Sequence, residues 1–143
     1  RQMCIRDRFY SPACTVANLN QGISCLAVAI KSKRSDVKSL AASSGFTAVI
    51  GGITEPAMYG INLRYKTPMI AACIGSFVGA AYLGLTHVYM HSFTGAGGIF
   101  SIVMYISEDP WSIINAIIGL VIGAVVTFVA TLFLYKDPVE EKM

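Results

Sequence analysis

Charge is what this sequence has least of. Only 13% of its 143 residues are Asp, Glu, Lys or Arg, against roughly a quarter in soluble domains. The deficit is concentrated, since residues 67–107 and 110–135 contain none of the four. Both stretches reach the length of about 20 apolar residues that a membrane helix requires. With 55% hydrophobic residues and a mean hydropathy of +0.61, an ordinary soluble domain is excluded. Metal and redox motifs are equally scarce. Cys4, Cys14, Cys25 and Cys73 show no CxxC or other ligand spacing and read as small apolar residues or free thiols. His87 and His91 are four apart, but Val88 stands where the glutamate of H-E-x-x-H belongs and no third ligand is evident, so no metal is expected. Gly95, Gly97 and Gly98 lack the Lys-Ser/Thr of a phosphate loop. No cofactor motif is present. The net charge of +3 is not gathered into a basic face, which excludes a nucleic-acid binder.

What is present is a set of apolar blocks with basic flanks, the pattern of membrane topology. Residues 12–30 form a first predicted span, carrying the amides Asn18, Asn20 and Gln21. Lipid offers these amides no partner, so they bond between helices or, for Asn18 and Gln21, contact a ligand. Residues 68–86 form a second span with a small-residue face at Gly75 and Gly79, and 112–135 a third with the same spacing at Gly119 and Gly123 and with Trp111 and Tyr135 at its ends. Residues 87–111 read as a glycine-rich outer loop that partly folds back onto the membrane domain, and 138–143 as a cytoplasmic tail. Residues 1–8 have no apolar core, resemble a translated adaptor and are set aside as a non-native leader. The remainder, 9–137, then reads as the C-terminal part of a longer membrane protein.

Between Lys38 and Arg64, Glu55 is the only charged residue. An ionised side chain in so apolar a block costs about 2.5–3.5 kcal/mol on insertion scales and marks a functional site by default. Both flanks of 39–63 are basic and claim the same side of the membrane, while Gly51, Gly52 and Pro56 break the middle. A straight span would place the flanks on opposite sides, so a re-entrant helical hairpin is expected over 39–63. Gly51 or Gly52 would close the first arm with a left-handed cap. Thr54 would cap the second, with Glu55 and Pro56 in its first turn, where a carboxylate meets the positive end of the helix dipole. All eight Lys and Arg after residue 30 then lie on one side of the membrane. Broken helices of this kind build the midplane substrate sites of transporters.

The stretch Gly52-Ile53-Thr54-Glu55-Pro56-Ala57-Met58-Tyr59-Gly60, followed by Asn62, Arg64, Lys66 and Pro68, resembles the membrane IIC component of bacterial phosphoenolpyruvate-dependent sugar phosphotransferase permeases. The resemblance is to the β-glucoside and sucrose branch of the glucose superfamily and covers roughly 9–137. It implies an all-α membrane fold of about three transmembrane helices plus one re-entrant hairpin, in a multi-pass protein of the bacterial cytoplasmic membrane with its C-terminus inside. It also implies a homodimer that carries sugar by an elevator-like shift, with Glu55 accepting hydrogen bonds from sugar hydroxyls. The substrate-binding candidates are Glu55, Thr54, Pro56, Asn18 and Gln21. The implied partners are the sugar, the lipid bilayer and the IIB and IIA domains, the first of which delivers phosphate from a cysteine.

The family's first half and its functional histidine have no counterpart in these residues, and neither the IIB cysteine motif nor the IIA histidine motif is among them. No catalytic residue is therefore expected here. The sugar is expected to be a β-glucoside, with sucrose or trehalose as the alternative. Two other readings of the residues stay open: ion-coupled secondary transport, with Glu55 binding a proton or sodium, and an assembly subunit in which Glu55 pairs within the bundle.

Overall fold

A long uncharged run in lipid can satisfy its backbone groups only within its own helix, and the chain follows that constraint. The computed structural model describes residues 2–86, 98–99 and 110–136, with the side chains of all these except 2–12, 110 and 112, and contains no strand among them. The elements are α1 (Gln2–Lys31), α2 (Ser35–Phe46), a π-helical turn (Thr47–Gly51), α3 (Glu55–Ala57), a second π-helical turn (Met58–Asn62), α4 (Leu63–Tyr65), α5 (Thr67–Leu85) and α6 (Pro110–Leu134). Three stretches are long and apolar enough to cross a membrane: Ala13–Lys31, Thr67–Leu85 and Ile113–Leu134. The protein is thus all-α with the three spans expected of it. Helix α1 continues at its N-terminus through the residues set aside as a leader. His87, His91, Gly95, Gly97, most of the 87–111 loop and the 138–143 tail lie outside the described residues.

The two GxxxG faces meet each other. A Cβ placed on Gly75 would overlap Thr127 Oγ1 and come within 2.8 Å of the Gly123 carbonyl oxygen, while one on Gly79 would lie 3.1 Å from the Gly119 carbonyl oxygen. This pairing makes α5 and α6 antiparallel. Helix α1 covers the seam, antiparallel to α5, with Val16 against Gly79 and Asn20 Nδ2 donating to Ser76 Oγ at 3.3 Å. Val16, Leu19, Leu83, Ala116 and Leu120 fill the space between the three helices. Lipid is as apolar as these side chains, so close van der Waals contact and interhelical hydrogen bonds hold the bundle together. The outward faces are apolar as well, with Phe77, Leu85, Val125 and Phe133 exposed.

The basic residues gather at one end of this bundle. Lys31, the last residue of α1, donates through Nζ to the Leu132 carbonyl near the end of α6. Tyr65 meets Tyr135 edge to face, with ring centroids 5.6 Å apart. Lys33 and Arg34 follow Lys31 in sequence, Arg64 and Lys66 flank Tyr65, and Lys136 follows Tyr135. Lys66 also joins the hairpin to α5, and it is the one described non-glycine residue with a positive φ, 59°. That abrupt joint lets α5 begin afresh with Pro68 in its first turn, where a missing N–H loses no helical bond.

Candidate functional site

The chain between α1 and α5 is a hairpin of two helical arms. The first arm is α2 and its π turn, and it stops at Gly52, whose φ of 71° is left-handed and whose N–H caps the arm by donating to the Ala48 carbonyl. The second arm comprises α3, the second π turn and α4, and runs back beside the first, since a Cβ on Gly60 would lie 3.7 Å from Leu40. A left-handed residue with a side chain costs about 1–2 kcal/mol. Gly52→Ala is therefore expected to lower the thermal midpoint of the detergent-solubilised protein, and Gly52→Asn to lower it less.

The tip reaches deep into the bundle. Gly22 lies against Val49 and Ala48, so that a Cβ there would be 3.0 Å from the Val49 nitrogen and 3.1 Å from Ala48 Cβ. Gly22 is the middle residue of the membrane stretch Ala13–Lys31. At 1.5 Å per residue, the tip stands about 14 Å from the basic end, close to half of the ~30 Å hydrocarbon thickness. Buried Gly98 closes on the tip, against the Ile50 carbonyl and within 2.7 Å of the Gly52 nitrogen for a Cβ placed there.

Glu55 opens the second arm at this depth. It is the first residue of α3, with Pro56 next to it, and both are exposed. The carboxylate has neither a hydrogen-bond nor an ion-pair partner among the described residues, so the reading in which it pairs within the bundle finds no partner there. Thr54 holds the N-cap position but makes no side-chain cap bond; its φ of −92° and ψ of −13° are helical rather than extended. The expected cap bond needs an extended backbone. The carbonyl of Thr54 instead accepts the Met58 N–H at 2.8 Å, leaving the hydroxyl uncommitted to the helix. One turn further on, Tyr59 is also exposed. The tip thus presents an acceptor-only carboxylate, a hydroxyl and a phenol, a donor and acceptor set suited to a polyhydroxylated ligand.

The amides of α1 divide. Asn18 is half-buried, and its Nδ2 faces Cys14 Sγ at 4.0 Å, one turn back on the same helix; no contact joins it to Glu55. Gln21 does meet the hairpin, through its backbone carbonyl, which accepts from Asn62 Nδ2 at 3.3 Å, while its side-chain Oε1 is buried without a partner. Sequence reasoning does not single out Asn62, which is fully buried in the second arm. Its signal is an amide inside a short apolar arm, which the adjoining basic residues disguise as a polar flank. No group of three His, Cys, Asp or Glu suited to a metal occurs among the described residues.

Among the described residues, three membrane-capable helices, a broken hairpin whose tip lies midway along them and a carboxylate without a partner at that tip define a polytopic α-helical membrane protein of the kind that builds its site from interrupted helices. Residues 2–76, just over half of the chain, match the family described as Phosphotransferase system, EIIC. The chain belongs to this family, whose domains are integral membrane proteins. It is 41% identical over 92% of its length to a sucrose-specific EIIBC component from Salmonella typhimurium. It is also 42% identical over 88% of its length to a β-glucoside-specific EIIBCA component from Bacillus subtilis, and 36% identical over 87% to an arbutin-, cellobiose- and salicin-specific EIIBC component from Escherichia coli. The matches cover 28%, 20% and 26% of those relatives, respectively. No solved structure matches the chain.

Proposed function

We propose that this segment belongs to a permease of the bacterial cytoplasmic membrane that moves a sugar inward and couples the movement to the sugar's phosphorylation. The observation that carries the proposal is the exposed Glu55 at a helix start, without a partner among the described residues, at the tip of a hairpin halfway along the membrane stretch. Each hydrogen bond from a sugar hydroxyl to this carboxylate is charge-assisted and stronger than its neutral counterpart. Thr54 and Pro56 frame it, the first with a hydroxyl that makes no cap bond and the second by fixing the entry of the arm. Gln21 supports the site from α1, and Asn18 stands further along the same helix as a secondary candidate.

The hairpin enters and leaves from the basic end, which faces the cytoplasm under the positive-inside rule; the C-terminus is then cytoplasmic. The relatives' names combine B, C and, in one case, A components in single chains, which supports IIB and IIA domains as partners, with IIB docking at that end near Arg64 and Lys66. A homodimer is the proposed assembly. A β-glucoside is the proposed substrate and sucrose the alternative, both classes being represented among the relatives.

The coupling is tested in membrane vesicles holding a transporter of the relatives' full length that carries this segment. Arbutin, cellobiose or sucrose is expected to appear inside only with phosphoenolpyruvate and the general phosphotransferase proteins present, and only as its phosphate. Uptake of unmodified sugar that persists without phosphoenolpyruvate and collapses with the proton gradient would establish a secondary transporter instead.

A further inference from the structure

Asn62 is the most completely bonded side chain of the hairpin, and its bonds all cross to one short piece of α1. Its Oδ1 accepts from Ser24 Oγ at 2.9 Å and from Cys25 Sγ at 3.4 Å, and its Nδ2 donates to the Gln21 carbonyl at 3.3 Å. The Cys25 thiol has the Ala57 carbonyl, at 3.5 Å, as an alternative acceptor for its one hydrogen, as the Ser24 hydroxyl has the Gln21 carbonyl at 2.8 Å. The π turn between these positions explains how one thiol meets both. A π turn bonds residues five apart, as the Leu63 N–H does to the Met58 carbonyl, and this spacing brings Ala57 and Asn62 toward the same side of the arm. Ala57 is two residues from Glu55. The two anchor points therefore bracket the arm just behind the carboxylate, against the half of α1 that runs toward the basic end.

We propose that Asn62, held by Ser24, Cys25 and the Gln21 carbonyl, is a positioning residue that fixes the depth and rotation of Glu55 for sugar binding. It does not touch the sugar, because it is fully buried with its oxygen and its amide nitrogen both engaged. The inference rests on Glu55 being the sugar ligand. The second arm is short and joined at both ends to strained or turning backbone, φ 71° at Gly52 and φ 59° at Lys66, so the arm has no long helix of its own to hold its register. The bonds from Asn62 supply that register. A slip of one residue along the arm would move Glu55 by about 1.5 Å, enough to lengthen a hydrogen bond of ordinary length out of bonding range. An amide suits the role, since it can accept from two α1 side chains and donate to an α1 carbonyl at once, at a fully buried position.

The test uses the full-length transporter and whichever of arbutin and sucrose the unmodified protein phosphorylates. Asn62→Ala is expected to raise KM about tenfold while the maximal rate and the amount of protein in the membrane stay within twofold. Ser24→Ala, which removes one donor and leaves the arm's packing intact, is expected to raise KM about threefold with the same unchanged maximal rate. If Asn62→Ala fails to accumulate, Ser24→Ala alone decides. A KM within experimental error of the unmodified value in the variants that accumulate, or a fall confined to the maximal rate, overturns the proposal. Glu55→Gln measured alongside separates the two ideas: if it is silent, the ligand assignment has failed, whereas if it abolishes phosphorylation while KM stays constant in the bracket variants, only the positioning role has failed.

Discussion

Replacing Glu55 by Gln is expected to abolish phosphoenolpyruvate-dependent sugar phosphorylation while leaving the protein folded and inserted. The two halves of that result have different origins. Glu55 is exposed and has no partner among the described residues, so the substitution removes no bond on which the fold depends. What it loses internally is the carboxylate's favourable interaction with the N-terminus of α3, about 0.3–1 kcal/mol. With Glu55 as the proposed sugar ligand, the sugar is expected to lose more. A hydrogen bond to a charged group contributes about 1.5–3 kcal/mol, and the neutral amide keeps one acceptor oxygen while turning a donor toward hydroxyls that had been donating. A net loss of about 3 kcal/mol corresponds to roughly two orders of magnitude in affinity. Glu55→Asp keeps the charge but withdraws it by one methylene, and is expected to fall between the two. Sugar binding, vesicle phosphorylation and membrane content measured together check the prediction. Phosphorylation within twofold of the unmodified protein, at equal membrane content, would remove Glu55 from the site.

The second large effect is structural and lies on the far side of the bundle. Gly75→Val is expected to prevent α5 and α6 from closing, so that the protein disappears from the membrane or melts several degrees lower. A Cβ at this position overlaps Thr127 Oγ1 and approaches the Gly123 carbonyl oxygen to 2.8 Å. The hydroxyl could rotate away, but the carbonyl belongs to a helix backbone and cannot. Overpacking of a well-filled core costs about 1–3 kcal/mol, and here relief requires separating two helices along their whole seam.

Gly84, on the same helix, has no atom of the described residues within 4 Å of the position a Cβ would take. Gly84→Ala is therefore the matched control, expected to be neutral or to stabilise by up to about 1 kcal/mol through helix propensity. Thr127→Ala should rescue Gly75→Ala only in part, since it removes the hydroxyl and leaves the carbonyl in place. Equal accumulation and equal melting of Gly75→Val and the unmodified protein would show that α5 and α6 do not approach as described.

Much of this is legible in the residues because the physics involved is local or one-dimensional. The uncharged apolar runs at 68–86 and 112–135 are enough to predict helices in lipid. Of the two glycines suited to cap the first arm, Gly52 is the one that does so, with its left-handed φ. Thr54 shows where such reasoning stops. Its type and place suit an N-cap, but the turn holds its backbone in the helical region and the cap bond is not made. Asn18 and Gln21 show the same limit differently. Three residues apart on one helix, they meet different surroundings, Asn18 through its side chain at Cys14 of the same helix and Gln21 through its backbone carbonyl at the arriving hairpin.

The sequence by itself determined that this is an all-α membrane protein, that three of its described segments are long and apolar enough to cross a membrane and that a lone carboxylate interrupts an apolar block beside a glycine break. Those properties follow from composition, from the length of apolar runs and from the turn chemistry of a few adjacent residues. Tertiary structure alone decided that the Gly75 and Gly119 faces meet each other, that the hairpin tip stops beside Gly22 and that Asn62 fastens the arm bearing Glu55 to Ser24 and Cys25. The reason is that these contacts join residues tens of positions apart. An interhelical hydrogen bond or a close backbone approach depends on the rotation and depth of both helices, and neither quantity is written in the spacing of either segment alone.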